Sequence, residues 1–72
     1  MKTDARHAVR YGAADIRDLC HELIQCSDQP TLDDKEIRLK LDSIRDIASD
    51  TSLAYRAARY EEEKERARNQ AV

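Results

Sequence analysis

At 72 residues and 8.3 kDa the chain has room for one small domain, and a domain of about 60 residues buries only about 60% of its unfolded surface. It has no Phe, no Trp, a single Gly and a single Pro, too few turn residues for a sheet, which excludes a β-rich fold. Charged residues make up 39% of the chain but the net charge is only −2, which excludes the strong positive field of a general nucleic-acid binder.

The first predicted element is a helix over about residues 3–26, with Thr3 as its expected cap and Asp4 near the positive end of the helix dipole. Val9, Ala13, Ile16, Cys20 and Leu23 recur at heptad spacing, the pattern of a helix–helix seam. Leu19 and Ile24 widen that stripe, as suits a helix with more than one neighbour. Gly12 is the weak point, since a glycine inside a helix costs about 1 kcal/mol relative to Ala. A close helix crossing at Gly12 compensates; a helix that starts only at Ala13 is the alternative. Four bases and four acids balance over residues 1–26.

A connection over 27–31 follows, Ser-Asp-Gln-Pro-Thr. Pro30 fits just before a helix start, Thr31 is the expected cap, and Asp33, Asp34 and Glu36 favour a helix N-terminus electrostatically. Residues 27–50 carry seven acids against four bases, so the loop and the start of the next helix form an acidic end.

The second predicted helix runs from about 32 to about 68, with a frayed C-terminus. Its seam reads Ile37, Leu41, Ile44, Ala48, Thr51, Tyr55 and Ala58, broadened by Ile47. After Tyr60 the residues Glu-Glu-Glu-Lys-Glu-Arg offer no apolar face, and Glu62 is placed to pair with Arg66. Folded about Gln29, the helices put Ile16 against Leu41, Ala13 against Ile44 and Val9 against Ala48. The longer second helix then overhangs the first from near Tyr55.

These features predict an all-α chain: one domain over 1–72, a two-helix antiparallel hairpin with a longer second helix. A hairpin has little core, so assembly as a homodimeric four-helix bundle is expected. The expected oligomer core is Ile16, Leu19, Leu23, Ile37, Leu41, Ile44 and Ile47. The overhang carries Tyr55, Arg56, Arg59 and Tyr60, residue types that dominate interface hot spots, so it is the expected partner-binding segment. The acidic face of Asp42, Asp46 and Asp50 is the runner-up.

Other constellations carry less. His7, His21, Cys20 and Cys26 have no pair at the spacing of a helical metal site, so neither metal nor cofactor is expected. The start of the chain has no apolar core for a signal peptide, and no stretch approaches the roughly 20 apolar residues of a membrane span. A cytoplasmic chain without membrane contact is therefore expected, with Cys20 buried, Cys26 near the loop and both reduced. The acid pairs Asp15/Asp18 and Asp42/Asp46 have no predicted cleft, and Ser43, Ser49 and Ser52 have no matching histidine. No enzyme activity is expected.

Arg6, Arg10, Arg17 and His21 lie along one side of the first helix. Such a hairpin dimer resembles the plasmid RNA-binding protein Rop in architecture, which implies a helical-hairpin RNA regulator as an alternative. The preferred reading is a small non-enzymatic regulator or inhibitor that binds a protein or nucleoprotein complex. Its size and type match phage or mobile-element accessory proteins, including anti-defence factors. A structural assembly component is the third reading.

Overall fold

Two antiparallel helices make up the computed structural model, which describes residues 4–70. Helix α1 spans Ala5–Ser27 and α2 spans Asp34–Gln70. At 1.5 Å per residue they are about 35 and about 55 Å long. The radius of gyration is 17.5 Å, where a globular chain of this length has about 11 Å; the hairpin is a rod 65 Å long.

Local chemistry sets the helix ends. The expected cap Thr3 lies outside the described residues. Asp4 caps α1, and its Oδ1 accepts the His7 N–H at 2.7 Å. At the other end the Ser27 hydroxyl donates to the Ile24 carbonyl at 2.7 Å, which satisfies one of the orphan acceptors of a helix terminus. Asp33, not Thr31, caps α2: its Oδ1 accepts the Glu36 N–H at 3.1 Å and its carbonyl the Ile37 N–H at 3.0 Å. Leu32 therefore stays outside the helix and is exposed. Asp34 and Glu36 lie in the first turn, at the positive end of the dipole.

Helix α1 runs unbroken through Gly12, which is buried. A Cβ built on Gly12 would stand 2.7 Å from the Thr51 Cβ and inside the Thr51 side chain. The helices thus come close together at Gly12, and Ala5 and Ala8 continue the same line as the buried apolar side chains.

This contact corrects the expected register. Gly12 meets Thr51, whereas folding about Gln29 puts Ala13 against Ile44. The connection is longer and lies later, over 28–33, so every residue of α1 faces a position further along α2.

The seam keeps the expected Ile16, Leu23, Ile37, Ile44, Thr51 and Ala58 but is turned to one side on each helix, so that most of the other positions move by one residue. Between the helices lie Ala5, Ala8, Gly12, Ile16, Leu19, Leu23 and Cys26, facing Ile37, Lys40, Ile44, Ile47, Thr51 and Ala58. Val9, Ala13 and Cys20, expected in the seam, are exposed, as are Leu41, Ala48 and Tyr55. Lys40 takes the place expected for Leu41; its Nζ lies 3.5 Å from Glu36 and 3.9 Å from Glu22. The cause is steric. Two neighbouring apolar lines run along each helix, and the one bearing Gly12 and the alanines allows the shorter axis separation.

Candidate partner-binding face

Rotation of the seam leaves the second apolar line uncovered. Val9, Ala13 and Tyr55 line an open groove along one face of the hairpin near the chain ends. Val9 is 44% exposed and Tyr55 42%. Further toward the loop, Cys20 and Leu41 continue the strip, with Leu41 52% exposed.

The walls of the groove are cationic. Arg6, Arg10 and Arg17 rise from α1 and Arg59 from α2. Arg17 lies 3.4 Å from Asp18 on the exposed surface. Arg59 is held at 3.2 Å by both Glu62 and Glu63. Neither Arg6 nor Arg10 is ion-paired among the described residues. Two acids also border the groove, and both are engaged. Asp4 caps α1, and Glu62 accepts the Ala5 N–H at 3.0 Å across the hairpin. Glu62 thus fastens the start of α1 to α2 and does not reach back to Arg66 as the spacing suggested.

The acids of α1 point elsewhere. Asp15, Asp18 and Glu22 follow one another at spacings of three and four, on a different side from Arg6, Arg10 and Arg17. Glu22 borders a second, polar hollow at the loop end, beside Lys40, Glu36 and the connection residues Gln29, Pro30 and Thr31. The two faces of the rod therefore differ in charge as well as in polarity.

The expected binding set is split by the structure. Helix α1 starts opposite Glu62, so among the described residues α2 passes the end of α1 after Glu62 and not from Tyr55. Tyr55 and Arg59 lie within the paired length, on the groove. Arg56 is exposed beyond its edge. Tyr60 points away at 65% exposure, with the Lys64 Nζ 6.0 Å from its ring centre.

The runner-up acidic face is exposed along its length, with Asp42, Asp46 and Asp50 one turn apart on the outside of α2. Arg45 reaches both Asp42, at 3.7 Å, and Asp46, at 3.6 Å. Of the expected oligomer core, Ile16, Leu19, Leu23, Ile37, Ile44 and Ile47 are half-buried in the α1–α2 seam, and Leu41 stands outside it.

Cys20 is exposed and Cys26 half-buried, the reverse of the expected order, because the seam follows Cys26. Among the described residues no three His, Cys, Asp or Glu side chains converge on a metal-sized site, and no helix is long and apolar enough to cross a membrane. Comparison with protein-family models, curated proteins and solved structures finds no match to this chain.

The groove was only partly foreseeable. Arg6, Arg10 and Arg17 show in the sequence as a row on one side of α1. That Val9, Ala13 and Tyr55 are left over beside that row follows from the close contact at Gly12.

Proposed function

We propose that this chain is a non-enzymatic, protein-binding helical hairpin, a small regulator or inhibitor that acts by covering a surface on a larger partner. One observation carries the reading. The chain exposes 6152 Å², whereas a compact monomer of its mass exposes about 4,600 Å². The excess is about twice what one partner contributes to a standard protein–protein interface. It includes Val9 and Tyr55 on the groove and Leu41 further toward the loop, whereas among the described residues no large side chain is fully buried. A homodimeric four-helix bundle is the other use of the same strip.

A second reading, RNA binding, is favoured by Arg6, Arg10 and Arg17 standing in one row. The two readings separate by affinity capture with the tagged chain and a Val9→Asp/Tyr55→Ala variant, each with and without nuclease. The extract comes from the organism that encodes the chain. Protein binding predicts a protein captured in stoichiometric amount, retained after nuclease and lost with the variant. Nuclease-sensitive capture replaces it with the RNA reading. No capture, together with a stable dimer in light scattering, replaces it with a structural role.

A further inference from the structure

The geometry points to one class of occupant for the groove: an acidic amphipathic helix of another protein, packed as a third helix along α1 and α2. This rests on the protein-binding reading and specifies its partner.

Shape comes first. The groove lies between two long antiparallel helices, and its floor of Val9, Ala13 and Tyr55 is apolar. An apolar helix face laid into such a groove buries both strips at once, as helix-in-groove complexes do. Burying a Val or Leu side chain fully gains about 1.5–3 kcal/mol. A floor already half-covered gains a fraction of that at each position.

Charge then selects among helices. Arg6 and Arg10 have no ion pair among the described residues, and the acids bordering the groove are already used by the Ala5 N–H, the His7 N–H and Arg59. The groove is left with uncompensated guanidinium groups beside an apolar floor. Arginine there suits bidentate carboxylate recognition.

Arg6, Arg10 and Arg17 are spaced by one turn and two turns, about 6 and about 10 Å along α1. An antiparallel helix matches them with Asp or Glu at i, i+7 and i+11, on the edge of its apolar stripe. A second copy of this chain is disfavoured in the same position. Packing that sets α1 against α1 of the second copy brings its Arg6, Arg10 and Arg17 toward the same row, and like charges across an interface are repulsive.

The test uses the full chain and three labelled synthetic helices of about 20 residues, read by fluorescence anisotropy. All carry leucine at heptad core positions. The first has Glu at i, i+7 and i+11, the second has those three Glu on the opposite face, and the third has Lys in their place. The first is expected to bind saturably in the micromolar range, about tenfold more tightly than either control, and more weakly as salt rises. Arg6→Glu with Arg10→Glu should reverse the preference toward the Lys helix at unchanged helicity by circular dichroism. That swap separates loss of the site from loss of the fold.

Equal binding of the three helices overturns the proposal, as does an absence of saturable binding. So does a wild-type dimer that Val9→Asp makes monomeric, because the occupant is then a second copy. Displacement of the acidic helix by poly-uridylate or by vesicles containing anionic lipid, at lower concentration than by the unlabelled helix, overturns it too. If the helices fail while nuclease-resistant capture succeeds, protein binding stands and only the partner class is wrong.

Discussion

Between Ile16 and Cys26 the hairpin closes with large aliphatic side chains; between Ala5 and Gly12 it closes with almost none. The loop half sets Leu19 and Leu23 against Ile37, Ile44 and Ile47, and all of them stay half-exposed. The end half sets Ala5, Ala8 and Gly12 against Thr51, Ala58 and Glu62, and there the α1 residues are buried. Large side chains hold the helices apart and small ones let them close. The tight half is nevertheless not the strong half, because an alanine buries little apolar area. The loop half supplies most of the hydrophobic energy. The end half supplies fit, and thereby decides which apolar line is left outside.

The largest effect is expected in the loop half. Ile44→Asp places a carboxylate among Leu19, Ile37 and Ile47 and removes aliphatic contact. A loss of about 3 kcal/mol is expected, enough to abolish a cooperative thermal transition in so small a chain. A normal melt by circular dichroism would mean that the loop half is not where the apolar energy lies.

A smaller effect tests the end half. Gly12→Ala gains about 1 kcal/mol of helix propensity, yet its Cβ falls within the Thr51 side chain. Overpacking costs about 1–3 kcal/mol, so the net effect is a loss of about 1 kcal/mol. Moving the glycine across the seam, Gly12→Ala with Thr51→Gly, should recover most of it. A stabilised Gly12→Ala single variant would show that the helices do not touch there.

Much of this architecture is legible in the sequence. The two helices, the single connection and the acidic start of α2 follow from heptad apolar spacing, from Pro30 and from Asp33 to Glu36. The seam does not follow, for a physical reason. Val9–Ala13–Cys20 and Ala5–Ala8–Gly12–Leu19 are adjacent lines on α1, both apolar and both at heptad spacing. Periodicity cannot rank them. Gly12 can, because a glycine inside a helix marks the place where another backbone comes close, and its line then extends to Leu23 and Cys26. The Glu62 contact with Ala5 lies beyond sequence reading: it joins residues at opposite ends of the chain, and only the register brings them together.

That contact gives the next prediction. Glu62→Ala removes the acceptor for the Ala5 N–H and frees Arg59 from one of its two carboxylates. A loss of about 1 kcal/mol is expected. It should appear locally, as faster hydrogen exchange over the first turn of α1 with the exchange of Leu19 and Leu23 unchanged. Uniformly faster exchange would mean that the end half sets global stability and not only register.

The smallest expected change separates the two apolar lines most directly. Cys20 lies on the outer line and is exposed, while Cys26 lies on the seam and is half-buried. Cys20→Ala should therefore alter stability by less than about 0.5 kcal/mol, as surface substitutions do. Cys26→Ala should lose more, up to about 1 kcal/mol, for the packing it removes. Accessibility gives the same order without mutation, since thiol modification follows exposure as well as thiolate character. In the native chain a thiol reagent should label Cys20 before Cys26, and the order should vanish in denaturant. If Cys26 labels first, either the seam runs along Val9, Ala13 and Cys20 after all or something covers the outer line. Repeating the labelling on Val9→Asp decides between these. A variant that sheds a partner exposes Cys20, whereas a variant with the other seam loses its helicity instead.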